Sequence, residues 1–429
     1  MDASRFFYDS FAIDAEQGTI SYQYSTDAGQ AFSHTLTMVF PPGTSAEVLR
    51  PAVFALGMAE LIHYWKALLT PEIVVRAGAL TPEQVVFWEN LYTKGLGEFF
   101  YVNQIDFRGL ITVSVEEGAP EILATASDAS GKRLVPFGGG KDSLVTGAVL
   151  ADAGKEFTWY TLEPLPFFAD AMKQTATSES ISIGRDVAKN FAPIVEMVKQ
   201  GAPNGHVPIT ATYILSAVVA AKAYGYSDVI VSLERSAEEG NVEYLGHIVN
   251  HQYSKTLEFE RMVHAYVQEH IDPSIRVFSL LRPLYEIQIV ERFAKHPEYF
   301  RHFVSCNRGL KTGRWCGECA KCAFMFAALS AFLSPETVTG IFSKNLFEDE
   351  ALLPLYEELI GKDKSKPFDC VGTYDENLLA LYLSGEQYGK AGLPLPPVLK
   401  ALPIEDGKAH LPLLTEHGPS IAPSEYRLS

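Results

Sequence analysis

The sequence has no apolar run long enough to cross a lipid bilayer. Its longest weakly charged runs, residues 207–221 and 322–333, fall short of the roughly 20 residues that a membrane-spanning helix needs. At the N-terminus no basic region is followed by an apolar core, so we expect no secretory signal. We therefore expect a cytoplasmic protein with no membrane partner, in which both runs form buried helices.

Basic residues and cysteines are also scarce. The chain has 35 Lys and Arg against 52 Asp and Glu, which gives a formal net charge of −17. This charge would repel a phosphate backbone unless the basic residues clustered on one face, so nucleic acid is not an expected partner. The five cysteines are odd in number and mostly close together, which indicates a reduced protein rather than a disulfide scaffold.

The most informative segment that is present lies at residues 134–150. A short apolar strand, 134–137, leads into three glycines and then into an apolar stretch with helical spacing. Glycines let backbone N–H groups turn toward an anion, and the start of a helix adds partial positive charge. The predicted phosphate-binding residues are Gly138, Gly139, Gly140, Lys141, Asp142 and Ser143. The alternative interpretation is a glycine-rich turn that binds no ligand.

Strand and helix patterns predict an α/β protein in three parts. Residues 1–128 are predicted to form an α+β domain, residues 129–330 a nucleotide-binding domain with the cysteine cluster, and residues 331–429 a helical region with an extended, proline-rich tail from residue 392. In the middle part we expect a parallel sheet with helices on both faces. Its predicted strands are 134–137, 158–162, 228–233 and 276–281. Ligands bind at the carboxyl ends of such strands, so the loops that follow them should converge.

Four of the cysteines have a spacing that suits a metal. They follow the pattern C-x9-C-x2-C-x2-C and are Cys306, Cys316, Cys319 and Cys322. A tetrahedral zinc ion can gather thiolates at this spacing. Two alternatives stay open: Cys306 or Cys316 acts as an acid or base in catalysis, or all four are buried thiols beside an apolar helix. Cys370 stands apart and is predicted to be a core thiol.

Other charged residues follow or precede predicted buried elements. Glu234 and Arg235 come directly after a predicted strand, where Arg235 would grip a carboxylate or phosphate and Glu234 would hold a metal or position the arginine. A solvated loop is the alternative. His206 precedes a predicted buried helix and is either catalytic or a partner of the helix start. His247 and His251 are predicted to form a surface pair on one helix face.

The glycine segment resembles the pyrophosphate loop of the ATP pyrophosphatases, Ser-Gly-Gly-x-Asp-Ser. Gly139, Gly140, Asp142 and Ser143 fall on matching positions, while Gly138 replaces the first serine. This resemblance implies an adenine nucleotide α-hydrolase-like fold that cleaves ATP between its α- and β-phosphates. Together with the loop, further segments resemble the MurL family of ATP-dependent UDP-N-acetylmuramoyl-L-alanyl-L-glutamate epimerases; these are residues 204–210, 233–241, 305–308, 315–322 and 366–372.

The MurL resemblance implies a cytoplasmic isomerase of peptidoglycan synthesis. Its substrate would be UDP-MurNAc-L-Ala-L-Glu, whose terminal L-glutamate becomes D-glutamate while ATP and Mg²⁺ are used and AMP and pyrophosphate are released. In that scheme Asp142 holds Mg²⁺, and the acid and base are sought among His206, Cys306 and Cys316. Whether zinc is present and whether the chain forms a homodimer stay open.

Three other functions share parts of this pattern. A ligase or nucleobase-modifying enzyme of the 7-cyano-7-deazaguanine synthase type would share the glycine loop and the four-cysteine site, but not segments 204–210 and 233–241. A tRNA-thiolation protein is a second alternative, which the acidic charge disfavours. A nucleotide sensor without catalytic activity is the third, and it would bind ATP without forming AMP.

Overall fold

The computed structural model describes residues 3–127, 131–362 and 365–428, and the predicted domain boundary between residues 128 and 129 lies outside them. The described chain forms twelve strands and fifteen α-helices. The strands are β1 (Arg5–Asp14), β2 (Thr19–Thr26), β3 (Ala31–Met38), β4 (Glu72–Val75), β5 (Thr112–Val115), β6 (Lys132–Pro136), β7 (Thr158–Leu162), β8 (Ser180–Arg185), β9 (Tyr226–Val231), β10 (Val242–Tyr244), β11 (His247–Val249) and β12 (Arg276–Ser279).

The helices occupy most of the remaining chain. They are α1 (Ala46–Trp65), α2 (Pro82–Gly95), α3 (Gly97–Val102), α4 (Lys141–Asp152), α5 (Pro166–Met172), α6 (Val187–Asn190), α7 (Ala192–Lys199), α8 (Ile209–Tyr224), α9 (Leu257–His270), α10 (Glu286–Phe293), α11 (Ala320–Ser330), α12 (Pro335–Phe342), α13 (Leu353–Leu359), α14 (Tyr374–Lys390) and α15 (Pro397–Ala401). The predicted buried runs correspond to α8 and α11, whose residues are mostly buried. No described helix combines the length and hydropathy of a bilayer-spanning segment.

Ten strands form one sheet in the order β12-β9-β6-β7-β8-β3-β2-β1-β4-β5. The strands from β12 to β8 pair in parallel; β6, β7, β9 and β12 correspond to the four predicted strands, whereas β8 was not predicted. The strands β1, β4 and β5 are also parallel to one another. The two regions meet where β3 runs antiparallel to β8, with Leu36 opposite Arg185. The predicted α/β class is therefore confirmed, and the sheet is continuous from the first 127 residues into the region after residue 130.

Both faces of the parallel strands are buried. Successive residues alternate between two hydrophobic clusters: Leu134 faces one and Val135 the other, and Val229 and Ile230 repeat this alternation in β9. The first cluster includes residues of α1 and α8, and the second includes residues of α4, α10 and α11. A strand covered on both faces reads as a continuous apolar run, which is why the sequence predicts these strands well.

The C-terminal tail differs from its prediction. It is not extended from residue 392, because α15 and a 3₁₀ helix (Ile404–Leu414) form there. Proline is compatible with the first turn of a helix, so Pro397 begins α15 without losing a hydrogen bond. The 3₁₀ helix packs closely on α14: a Cβ atom on Gly407 would lie 2.1 Å from the Leu378 carbonyl oxygen.

Candidate functional site

The glycine loop joins β6 to α4 at the carboxyl end of the parallel strands, as predicted. Gly139 has a φ of +83°, and a Cβ atom there would lie 2.6 Å from the Phe168 ring. Gly140 is the N-cap residue of α4 and, as a glycine, provides no side-chain cap. Because the first N–H groups of an α-helix have no partner within the helix, this loop offers backbone amides to an anion.

The Lys141 side chain is buried between two carboxylates and does not extend freely over the loop. Its Nζ lies 2.7 Å from Glu286 Oε1 and 2.5 Å from Asp142 Oδ1, and the side chain is buried. Burial opposes the charged form, but the two carboxylates outweigh it and raise the pKa of Lys141. The hydroxyl of Ser143 is also engaged, since Oγ donates to the Gly140 carbonyl oxygen at 3.1 Å.

Glu286, the first residue of α10, connects the loop lysine to the C-terminal part of the chain. Lys321 Nζ lies 3.4 Å from Glu286 Oε1 and also donates to the Cys370 carbonyl oxygen. Burial would raise the pKa of Glu286, but Lys141 and Lys321 outweigh it and lower the pKa to about 2. This carboxylate is therefore ionised at neutral pH and holds two buried lysines in place.

Cys370 lies among cations and is not the core thiol that the sequence predicts. Its Sγ lies 3.3 Å from Lys255 Nζ, and His251 hydrogen-bonds to the thiol. Burial would raise the pKa of Cys370, but Lys255 and His251 lower it to about 6. Burial likewise opposes charge on His251, yet Cys370 and Glu98 raise its pKa to about 9. At neutral pH the pair is a thiolate and an imidazolium.

His251 and His206 share one carboxylate. Glu98 Oε2 lies 2.5 Å from His251 Nδ1 and 3.3 Å from His206 Nδ1, and the two imidazole rings are 4.6 Å apart. Burial, followed by the charge on His251, lowers the pKa of His206 to about 3, so this ring is neutral. The predicted surface pair is wrong, because His247 lies exposed in the β10–β11 hairpin while His251 faces the site.

The Glu98, His206 and His251 group is better described by hydrogen bonds than by a metal. Their nearest ligand atoms lie within 4.8 Å of one another. However, two ligands of one zinc ion, each bound at about 2.0–2.2 Å, would stand about 3 Å or more apart. The 2.5 Å separation of Glu98 Oε2 and His251 Nδ1 is instead that of a short, charge-assisted hydrogen bond.

Glu234 and Arg235 follow β9 as predicted, but their side chains diverge. Glu234 is buried, and its Oε2 has no hydrogen-bond partner among the described residues. Burial raises its pKa to about 7, against the opposing charge of Lys255. The solvated-loop alternative is therefore wrong for Glu234. Arg235 instead lies 4.4 Å over the Tyr285 ring and 3.8 Å from Glu416 of the C-terminal tail.

The four predicted cysteines come together although nine residues separate the first two. Cys306 Sγ lies 3.7 Å from Cys319 Sγ, Cys316 Sγ lies 3.6 Å from Cys322 Sγ, and Cys319 and Cys322 are 3.5 Å apart. All four sulfur atoms lie within 4.8 Å of one another. Cys306 and Cys316, two of the three acid and base candidates from the sequence, thus belong to one four-thiol group.

Sequence reasoning missed the charged residues that connect the glycine loop, the two histidines and Cys370. They are Glu98, Lys255, Glu286 and Lys321. Each lies in a different segment, and only Lys321 falls within a motif that the sequence analysis singled out. The nearest signal was Lys321, a charged residue between two of the clustered cysteines.

Comparison with known proteins gives family matches over most of the chain. Residues 1–280 match the model of the MurL N-terminal domain, and residues 302–400 match that of the MurL C-terminal domain. A Salinispora tropica protein is 34% identical over 99% of this chain and 95% of its own length. A Xanthomonas oryzae pv. oryzae protein is 34% identical over 88% of this chain and 85% of its own length. Both are named UDP-N-acetyl-alpha-D-muramoyl-L-alanyl-L-glutamate epimerase.

Proposed function

The chain belongs to the MurL family, and on this basis we propose that it converts the terminal L-glutamate of UDP-MurNAc-L-Ala-L-Glu to D-glutamate in peptidoglycan synthesis, with ATP and Mg²⁺. The observation that carries this proposal is the path of contacts from the glycine loop to Cys370. It runs from Asp142 through Lys141, Glu286 and Lys321 to the Cys370 carbonyl oxygen, and Lys255 contacts the Cys370 sulfur. The predicted phosphate-binding loop and the group that we assign to proton transfer would thus belong to one cluster.

Chemistry explains why such a reaction would use ATP. A C–H bond beside a free carboxylate resists loss of its proton, because the resulting carbanion would place a second negative charge on the same group. When a carboxylate oxygen attacks the α-phosphorus of ATP, pyrophosphate leaves and an acyl-adenylate forms, in which the former carboxylate is an uncharged, ester-like carbonyl. Its carbonyl can take up the electron pair from the broken C–H bond as an enolate, which nearby donors stabilise.

The glycine loop suits the phosphate end of this reaction. Gly138, Gly139 and Gly140 carry no side chains that would block an approaching phosphate, and the α4 N-terminus favours negative charge. Asp142 is the residue that would hold Mg²⁺, an ion that neutralises charge on phosphate oxygens. Lys141, held between two carboxylates, fixes the Asp142 side chain rather than reaching out by itself.

Cys370 and Glu234 are the groups that we assign to proton transfer. The Cys370 thiolate would accept the Cα proton, and Glu234 would return a proton to the other face of the enolate. Two features support this assignment: Cys370 is a thiolate at neutral pH, and Glu234 titrates near neutrality with an unpartnered oxygen. Cys306 and Cys316 suit the role less, because their sulfurs face the other clustered cysteines. Hydrolysis of the acyl-adenylate then releases AMP and restores the carboxylate.

One assay tests the proposed function. The protein is incubated with UDP-MurNAc-L-Ala-L-Glu, ATP and Mg²⁺, the product is hydrolysed, and glutamate is resolved chirally while AMP is quantified. We expect D-glutamate and AMP, and neither when ATP is omitted. A parallel reaction with a deazapurine carboxylic acid and ammonia tests the ligase alternative. AMP release in that reaction alone, with glutamate left in the L form, would contradict the proposal.

A further inference from the structure

We propose that Cys306, Cys316, Cys319 and Cys322 bind one zinc ion with their four thiolates. The Sγ–Sγ separations of 3.5, 3.6 and 3.7 Å are nearly equal. Four sulfurs around a zinc ion at about 2.3 Å form a tetrahedron with edges of about 3.8 Å. Disulfides would instead bring two sulfurs of a pair to about 2.05 Å. The observed group has the shape of a single ion's ligand shell.

The backbone around the four sulfurs is shaped to hold thiolates. The N–H groups of Gly309 and Gly317 donate to the sulfurs of Cys306 and Cys322, each at 3.3 Å. Gly317 has a φ of +72°, and a Cβ atom on Gly309 would lie 1.6 Å from the Arg314 carbonyl oxygen. Both turns therefore require glycine. N–H groups directed at sulfur stabilise the negative charge that a metal-bound thiolate carries.

Two of the four thiols are fully buried, which affects their charged forms. Cys306 and Cys322 are both 0% exposed, so a thiolate at either position would be unstable without a positive partner close by. A divalent ion at the centre of the group meets that need. All four ligand positions would be occupied by protein, so this site would be structural rather than catalytic.

The position of the site shows what the ion would stabilise. Val304 N–H donates to the Gly139 carbonyl oxygen at 3.0 Å, only two residues before Cys306. Lys321, which contacts Glu286, lies directly before Cys322. A zinc ion would therefore fix a segment that supports the glycine loop at one end and the lysine network at the other.

The test is metal analysis of the full-length protein purified without added metal or chelator. We expect one zinc per chain by inductively coupled plasma mass spectrometry, loss of that zinc in Cys319→Ser, and full retention in Cys370→Ser, the matched control. In the native wild type, four of the five cysteines would be bound to zinc, so only Cys370 should react rapidly with a thiol reagent. An organomercurial that displaces thiolates should release the zinc to a colorimetric chelator.

Several results would overturn the zinc site. Zinc below one tenth per chain together with five reactive thiols would do so, as would iron with visible charge-transfer absorption. Full zinc retention in Cys319→Ser would also contradict it. Because the metal content and thiol reactivity of the wild type decide the question, a Cys319→Ser variant that fails to fold does not prevent the test.

A separate observation carries a second inference, which rests on the proposed function. We infer that the Ser305 hydroxyl donates a hydrogen bond to a phosphate of the bound nucleotide. Ser305 Oγ is buried and has no partner among the described residues. Its Cβ lies 4.0 Å from where a Cβ of Gly140 would be, so the side chain stands against the loop. The loop's own hydroxyl, on Ser143, is already used by the Gly140 carbonyl.

Titration calorimetry with α,β-methylene ATP and Mg²⁺ tests the role of Ser305. A hydrogen bond to a charged group typically contributes enough for a tenfold to roughly hundredfold change in affinity, so we expect Ser305→Ala to bind the analogue at least about tenfold more weakly. Ser305→Thr should recover part of the loss. Ser178→Ala, at an exposed serine, should bind like the wild type, and zinc content should be equal in all three variants.

The outcomes distinguish the two proposals. Unchanged affinity in Ser305→Ala, with normal binding by the wild type, would overturn the role of Ser305 and leave the proposed function intact. No binding by the wild type would overturn the nucleotide-dependent function, and the inference on Ser305 with it.

Discussion

Lys255 Nζ lies 3.3 Å from Cys370 Sγ, although the two residues are 115 positions apart along the chain. Lys255 lies in the region that matches the MurL N-terminal model, and Cys370 in the region that matches the C-terminal model. The contact between this lysine and the thiol therefore depends on both regions being folded together. Because Lys255 and His251 lower the pKa of Cys370 to about 6, the contact converts an ordinary thiol into a base that is available at neutral pH.

Replacing Cys370 should separate proton transfer from adenylation. We expect Cys370→Ala to lower the epimerisation rate by roughly 10²- to 10⁴-fold, the usual contribution of a general base. The KM for ATP should change little, because the glycine loop is untouched. Chiral analysis of glutamate gives the epimerisation rate, and the dependence of AMP formation on ATP concentration gives the KM for ATP. Equal, large losses in ATP binding and epimerisation would indicate a structural role for Cys370 instead.

The pH profile should be bell-shaped. The active thiolate forms as pH rises through the Cys370 pKa of about 6, and the protonated acid disappears as pH rises through the Glu234 pKa of about 7. Activity should therefore increase on the acid side, peak near these two values and fall at higher pH. The profile of kcat/KM against pH measures both limbs. Activity that rises steadily into the alkaline range would contradict the assignment of Glu234.

Removing the Lys255 charge should move the acid limb. In Lys255→Met the thiol loses its closest cation, so the pKa of Cys370 should rise toward the ordinary value of about 8.5. The acid limb should shift to higher pH, and alkylation of Cys370 by iodoacetamide at pH 7 should slow. The alkaline limb should also shift to higher pH, because Lys255 no longer opposes the effect of burial on the pKa of Glu234. An acid limb at the same pH in wild type and variant would show that another group controls it.

Two neighbouring glycines should respond differently to alanine. Gly139 has a φ of +83° and contacts the Phe168 ring, whereas a Cβ on Gly138 meets nothing within 4 Å. Gly139→Ala should lower the free energy of unfolding by about 1–3 kcal/mol, because it forces a strained backbone or displaces the ring. Gly138→Ala is the matched control and should unfold like the wild type in urea. Equal stability of both variants would contradict the positive φ and the close ring contact of Gly139.

The buried ion pairs of Glu286 should be sensitive to loss of its charge. In Glu286→Gln, Lys141 and Lys321 lose their common carboxylate, and breaking a buried pair in this way typically costs about 3–5 kcal/mol. Glu117→Gln, at an exposed carboxylate, should change stability by less than about 0.5 kcal/mol. Urea denaturation of both variants measures the difference. A Glu286→Gln protein as stable as the wild type would contradict the network.

The same carboxylate gives a stability change in acid. The pKa of Glu286 is lowered to about 2, below the roughly 4.3 of an unfolded glutamate. Its contribution is therefore fully present above about pH 4.3 and is lost as pH falls toward 2. Wild type should lose stability across that interval more steeply than Glu286→Gln.

Local patterns in the sequence predicted the parts of the fold that depend on neighbours along the chain. The strand at residues 158–162 has the predicted bounds, and the glycine loop and the four cysteines lie as their spacing indicated. Cys370 was misjudged because its chemistry depends on Lys255, which no local pattern connects to it. The ion pair of Lys141 with Glu286 joins residues 145 positions apart, and the sequence did not predict it for the same reason.

The central claim is that ATP activates the glutamate carboxylate so that its Cα proton can be exchanged. The most direct measurement is mass spectrometry of glutamate after incubation of the enzyme with UDP-MurNAc-L-Ala-L-Glu, ATP and Mg²⁺ in D₂O. We predict that deuterium appears at Cα together with AMP, and that neither appears without ATP. Deuterium incorporation without ATP, or AMP formation with an undeuterated L-glutamate, would contradict the account.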